Sequence, residues 1–217
     1  MTMTPVVERI AACLSPEPAA ATDEDDFARK PVSRPELIPS AVLFPIVQRA
    51  DEAGGERVLL TRRSDHLRDH PGQISFPGGR VEASDPSPLH AALREAREEI
   101  GLDPALPRIL GYLPAYRTAT GFLIYPVVAL IAAPFSLRLD EFEVAEAFEA
   151  PLAALFDPRH HRREHLVYQG RRHEYNVIEC EAEGKSRYIW GATAGMILAL
   201  WRRAGVVENT GGQACSD

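Results

Sequence analysis

The run from Leu89 to Ile100, Leu-His-Ala-Ala-Leu-Arg-Glu-Ala-Arg-Glu-Glu-Ile, has a helical period and helix punctuation at both ends. Ser87 and Pro88 read as an N-cap followed by the N1 proline, and Gly101 as the terminating residue. At about 100° per residue, Leu89, Ala92, Leu93, Ala96 and Ile100 share one arc, and Glu95, Glu98 and Glu99 share the adjoining one. One arc is core and the other is a cluster of carboxylates. Carboxylates side by side on a helix repel by a few tenths of a kcal/mol per i,i+4 pair, about what an opposite-charge pair would gain, so a positive charge is needed beside them. Arg94 and Arg97 could supply it as an ordinary solvated face. A hard divalent cation such as Mg²⁺, which prefers oxygen ligands and keeps several waters, could supply it as well. The helix alone leaves both open.

Its approach narrows the choice. A strand-like Gln73-Ile-Ser-Phe76 ends at Pro77-Gly78-Gly79, where paired glycines free the backbone for a tight loop that leads to Ser87. Strand, glycine loop and capped acidic helix form one compact unit. That unit resembles the box of the Nudix hydrolases, whose second half is matched at every fixed position by Arg94-Glu95-Ala96-Arg97-Glu98-Glu99-Ile100-Gly101-Leu102. The first half departs from the pattern. The acidic residue six positions after Gly79 is Asp85 instead of glutamate, and the gap from it to Arg94 is one residue longer than standard. Just upstream, Leu59-Leu-Thr61-Arg-Arg63-Ser64, Arg68, Gly72 and Phe76-Pro-Gly-Gly79 resemble the signature of the coenzyme A diphosphatase branch, whose members tend to carry this altered box. Gly111-Tyr-Leu-Pro114, Thr120-Gly-Phe122, Tyr125-Pro-Val-Val128 and Ile189-Trp-Gly-Ala-Thr193 are similar to the same branch, so the resemblance spans roughly residues 38 to 204.

The resemblance implies an α/β fold, a Nudix-type α/β/α sandwich with a mixed β-sheet. It implies Mg²⁺ or Mn²⁺ held chiefly by Glu98 and Glu99, with Glu95 direct or through water and the Gly79 carbonyl completing the set. Arg94 would orient the glutamates, and Glu143 looks like the downstream acidic position that meets the metal site and serves as general base; an exposed acidic loop is its other reading. Arg63 and Arg68 would hold phosphates, with Gly72 and Phe76 shaping their loop. The implied activity is hydrolysis of the diphosphate of coenzyme A or a thioester derivative, giving 3',5'-ADP and 4'-phosphopantetheine or its acyl form. The rivals are hydrolysis of ADP-ribose, a dinucleoside polyphosphate or a damaged nucleoside triphosphate, a ligand-sensing Nudix module without catalysis, and removal of an RNA cap.

Composition bounds the remaining classes. A chain of 217 residues suffices for one good-sized core. Cys13, Cys180 and Cys215 are scattered without disulfide or zinc-site spacing, which suits a reducing cytoplasm. No apolar run reaches the roughly 18 residues of a membrane span, and no basic-then-apolar signal opens the chain. A net charge of -7 argues against a nucleic-acid coat. The expected partner is therefore a small anionic substrate, with neither nucleic acid nor membrane, for a monomer or homodimer. Two basic clusters stand against the acidic balance: Arg62, Arg63, His66, Arg68 and His70 beside the glycine turn, and Arg159 to His165 after Asp157-Pro158, which reads as a solvated loop.

Along the chain, residues 1–37 read as an arm or linker with a short helix over 6–14, either packed on the domain or mobile, 38–204 as the Nudix domain, and 205–217 as a poorly ordered tail. Strands are expected over 41–48, 57–61, 73–76, 108–114 and 122–132, a hairpin over 164–168 and 173–181 about Gly170, and a closing amphipathic helix over 191–203. Residues 142–155 mix acidic and apolar side chains and carry no assignment.

Overall fold

The computed structural model describes residues 3–21, 37–49, 55–118, 120–168 and 171–205. The chain passes through α1 (Pro5–Ala12), β1 (Ile38–Gln48), β2 (Arg57–Arg63), β3 (Ile74–Ser75), β4 (Gly78–Arg80) and α2 (Pro88–Ile100). It continues through β5 (Arg108–Tyr112), β6 (Tyr116–Arg117), β7 (Phe122–Ala132), β8 (Val144–Pro151) and the short α3 (Leu152–Leu155). A 3₁₀ turn at Pro158–His160 leads to β9 (His161–Tyr168), β10 (Arg171–Ala182), β11 (Lys185–Trp190) and α4 (Ala192–Ala204).

An eight-stranded sheet runs in the order β3-β2-β1-β7-β5, with β4 on β1, β6 on β7 and β8 on β2. Among the described strands only β1 and β7 pair in parallel, in register from Ile38 opposite Phe122 to Gln48 opposite Ala132. Both strands are covered on both faces, which is why they read as near-continuous apolar runs. Phe44, Ile46, Val128 and Leu130 point to one face, and Leu43, Val47, Val127 and Ile131 to the other. Helix α2 covers the second face. Helices α1 and α4, with a three-stranded antiparallel sheet in the order β11-β10-β9, cover the first. The α/β/α layering and the mixed sheet agree with the sequence reading, and the small sheet adds to it.

Of the two readings of the N-terminal arm, packed or mobile, residues 3–21 take the first: Val7 and Ile10 are fully buried among side chains of α4, and Ser15 and Tyr112 exchange backbone hydrogen bonds along the edge of β5. Three features differ from the sequence reading, each for a physical reason. Residues 144–151 form a full strand, because their acidic members are taken up by bases. Arg49 grips Glu149 through two bonds of 2.9 and 2.7 Å, and Arg187 reaches from β11 to grip Glu146. The second basic cluster is ordered structure: the His160 and His161 rings bond the carbonyls of Ala154 and Leu155, and Arg162 pairs with Glu164 and Glu179. Strand β11 was missed because its hairpin turns on Glu183-Gly184, with φ of 52° and 70°. A glutamate is an uncommon occupant of the first left-handed position, where asparagine or aspartate is the usual signal. Gly170, residues 22–36 and the tail 206–217 lie outside the described residues.

Candidate active site

The glycine turn and the acidic helix are locked together by backbone geometry. Ser87 caps α2, accepting from the His90 amide, and Gly101 closes it in the left-handed region at φ 66°. Strand β4 pairs antiparallel with β1, Ala41 opposite Gly79 and Val42 opposite Gly78. A side chain at either glycine would displace a neighbour, backbone at Gly78 and a mobile carboxylate at Gly79. A Cβ at Gly78, whose φ is 154°, would run into the Ala41 carbonyl and Val42, and one at Gly79 into the Glu95 carboxylate. The two glycines thus bring the backbone of β4 against both the sheet and the carboxylates of α2.

That approach sets the rotation of the helix. The Gly78 amide donates to Glu99 Oε2 at 3.0 Å, which draws Glu99 inward to 5% exposure. Buried with it are Ala91, Ala92, Ala96 and Ile100, while Leu89 and Leu93 stay half-buried. Periodicity alone places Leu93 inside and Glu99 outside. The small alanines let α2 lie close on β1, β4 and β7, and a specific N–H, not hydrophobicity, decides which glutamate turns in.

Arg94 is the hub of the carboxylate arc, and all five of its donors are engaged. Nε and Nη2 grip the two oxygens of Asp85 at 3.1 and 2.9 Å. Nη1 bonds Glu95 and Glu98, each at 3.0 Å, and Nη2 also reaches the Arg80 carbonyl at 3.1 Å. Asp85 in turn accepts from the Glu82 amide, closing its own loop, and the Arg94 guanidinium holds its carboxyl below the usual carboxylate range. The shifted acidic residue of the box therefore anchors Arg94.

The arc is short of positive charge. Burial pushes the Glu99 carboxyl up to about 8; the Gly78 N–H and Arg63 pull it down, and Glu95 and Glu143 add to the rise. Burial also raises Glu95, against Arg94 and with Glu98 and Glu143 reinforcing. Among the described residues no three His, Cys, Asp or Glu side chains are arranged to hold a metal ion. The donor set nonetheless suits a hard cation. Glu95, Glu98 and Glu99 each have one oxygen pinned by an N–H, leaving Glu95 Oε2, Glu98 Oε1 and Glu99 Oε1 without a hydrogen bond among the described residues. Glu95 and Glu99 are desolvated and Glu98 stands exposed beside them; buried carboxylates with oxygens to spare gain most from an oxygen-seeking divalent ion.

Other predicted site residues divide between the arc and its surroundings. Glu143 is close enough for its charge to act on both Glu95 and Glu99. It sits on a turn standing on the end of α2, where the Asp140 amide donates to the Glu99 carbonyl at 2.9 Å. Arg63 is half-buried, its charge felt by Glu99. Arg68 is exposed and Gly72, at φ 67°, turns the loop back so that Arg63 bonds the Gln73 carbonyl through its backbone N–H. The Phe76 ring is buried against Phe44 at 4.3 Å between centroids, so it shapes the loop from the core and offers no surface for direct contact with a ligand. Sequence reasoning passed over Ser64, whose amide bonds the Glu143 carbonyl at 2.9 Å and whose hydroxyl bonds that of Glu141 at 3.1 Å. Its only signal was its fixed place after Arg63 in the upstream motif.

The family model described as NUDIX domain matches residues 39–171. The chain belongs to the Nudix family. The matched span holds the glycine turn, α2 and Glu143, while α1, β11 and α4 lie outside it. A protein of Enterobacter sp. (strain 638) named "Uncharacterized Nudix hydrolase NudL" is 41% identical over 168 residues, covering 77% of this chain and 83% of that protein. The protein of the same name from Escherichia coli (strain K12) is 40% identical over the same shares. Among solved structures, a C. elegans Ap4A hydrolase binary complex aligns with a TM-score of 0.44 and 20% identity over 54% of this chain and 82% of its own. The Nudix box of this chain is thus the turn-and-helix unit assembled around Arg94.

Proposed function

We propose that the protein is a metal-dependent diphosphatase of coenzyme A or its thioester derivatives. The observation that carries the chemistry is the set of three carboxylates, each pinned through one oxygen, gathered with Glu143 and the Arg63 charge at the glycine turn. The coenzyme A assignment draws its support from the Arg63-Ser64, Arg68, Gly72 and Phe76-Pro-Gly-Gly79 motif, together with the altered box at Asp85.

A diphosphate resists hydrolysis because its negative oxygens repel the nucleophile. Glu98 and Glu99 would be the principal ligands of Mg²⁺ or Mn²⁺, with Glu95 and the Gly79 carbonyl; the ion, when bound, neutralises phosphate charge and acidifies water. Arg94, locked by Asp85, keeps Glu95 and Glu98 aimed at the site. Arg63 and Arg68 hold the phosphate oxygens. Glu143 takes a proton from the attacking water as its oxygen bonds to phosphorus, and the bridging oxygen departs with the other phosphate. The products are 3',5'-ADP and 4'-phosphopantetheine or its acyl form.

The test is incubation of the purified protein with CoA, acyl-CoA, ADP-ribose and NADH in Mg²⁺ or Mn²⁺, with chromatography of the products. Release of 3',5'-ADP from CoA is the expected result. Ready cleavage of ADP-ribose with CoA left intact overturns the substrate assignment.

A further inference from the structure

Phe142 is 67% exposed, well above the other outward-facing large apolar side chains, Leu106 at 40% and Tyr188 at 38%. Slack in the chain does not explain it. The Phe142 amide donates to Asp140 Oδ1 at 2.9 Å, and the amides of Glu143 and Val144 both return to the Asp140 carbonyl. Three hydrogen bonds to Asp140 close the turn, and it holds a phenyl ring out in water.

A second aromatic ring meets it from another loop. The His66 imidazole lies 4.8 Å from the Phe142 ring, centroid to centroid, tilted by 56°. Ser64 holds the two loops together, because its hydroxyl and amide bond the carbonyls of Glu141 and Glu143, the residues on either side of Phe142. Leu67 then closes a turn onto the Ser64 carbonyl and sets the position of His66. Two loops distant in sequence are thus bolted so that two rings share one exposed patch.

The patch borders the carboxylate arc. The turn that carries Phe142 is bonded to the end of α2, the Asp140 amide donating to the Glu99 carbonyl at 2.9 Å, and Glu143 and Arg63, on the two loops, bring their charges to bear on Glu99. A ligand with phosphates among these charges has its flat, weakly polar end within reach of the rings. Aromatic side chains bind such faces by stacking, with tolerance for the identity of the base.

We propose that His66 and Phe142 form a stacking platform for the purine base of the nucleotide substrate. The proposal rests on the reading that the site takes a nucleoside diphosphate, and it adds which residues recognise the base. The pair contributes to substrate affinity and leaves the bond-breaking step alone.

The experiment separates this platform from the substrate assignment by using ligands with nothing to hydrolyse. Binding of AMP, which carries the base, and of inorganic phosphate, which does not, is measured calorimetrically with Mg²⁺ present. The proteins compared are the full-length wild type, Phe142→Ala, His66→Ala and Phe142→Trp. The expected result is a loss of about tenfold in AMP affinity for each alanine variant, recovery in Phe142→Trp, and unchanged phosphate affinity throughout. For whichever diphosphate the wild type cleaves, KM rises by a similar factor while kcat holds. This outcome supports the platform even if CoA is not the substrate. Four results overturn it: wild-type AMP affinity in Phe142→Ala; equal losses for AMP and phosphate, which mark a structural role for the loop; a raised KM for CoA with AMP binding intact, which assigns the rings to the pantetheine arm; or a wild-type dimer that Phe142→Ala makes monomeric, which assigns the patch to a second copy.

Discussion

Replacing Asp85 with alanine removes two of the five bonds that hold Arg94, and the structure allows the cost to be worked out. The Asp85 side chain is 5% exposed and that of Arg94 is 23% exposed, with both Asp85 oxygens engaged at 2.9 and 3.1 Å. A hydrogen bond to a charged partner contributes about 1.5–3 kcal/mol, and nearby solvent screens part of it. The pair together then stabilises the fold by about 2–3 kcal/mol. In a domain of this size each kcal/mol moves Tm by about 2–4 °C, so Asp85→Ala should melt roughly 5–10 °C lower by calorimetry. Turnover should fall as well, by about 10–100-fold, the usual effect of losing a group that orients metal ligands. The decisive assay is a double-mutant cycle with Arg94→Ala. If Asp85 acts through Arg94, its removal costs much less once Arg94 is gone, with a coupling of at least about 1 kcal/mol. Additive losses of stability and turnover would refute the hub.

Other outcomes follow from the same geometry. Glu98→Gln and Glu99→Gln should each cut diphosphatase turnover sharply while thermal melts show an intact fold, and wild-type rates in both would remove the metal assignment. Gly79→Ala places a methyl group against the Glu95 carboxylate and should lower turnover more than stability, as read by paired kinetic and melting experiments. Ile10→Ala opens a hole in a fully buried position and should cost about 2–5 kcal/mol in urea unfolding; a loss below 0.5 kcal/mol would show that α1 is dispensable. Arg187 and Lys185 hold the Glu146 carboxyl down to about 2, below its usual 4.5. A depressed carboxylate stabilises above its unfolded value and loses that contribution as pH falls toward 2. Arg187→Met should therefore flatten the acid limb of the stability profile below about pH 4.5.

Much of the site is legible because its grammar is local. Ser87-Pro88, Gly101 and the paired glycines punctuate α2 and its turn within some thirty residues, and each signal has a direct mechanical cause in the fold. What escaped depends on partners distant in sequence. Glu99 faces inward because of an amide 21 residues upstream, Glu146 and Glu149 fit a strand because of Arg187 and Arg49, and Ser64 matters only once the 140–144 turn stands beside it. The first helix was legible but its packing was not, for a simpler reason: eight residues with two buried side chains carry too little apolar signal to show a core element.

The packing of α1 against α4 has a consequence for how the protein is made. Helix α1 finds its cover in α4, far downstream, so Val7 and Ile10 stay without Met196, Ile197 and Leu200 until α4 has left the ribosome. At about 5–20 residues per second, that wait lasts on the order of ten seconds or more. The central β1–β7 ladder can assemble during the interval, but the core on the α4 face cannot close. Folding of that face is therefore bound to the synthesis of α4, and a nascent chain stalled before α4 presents an apolar surface to whatever chaperone stands at the exit.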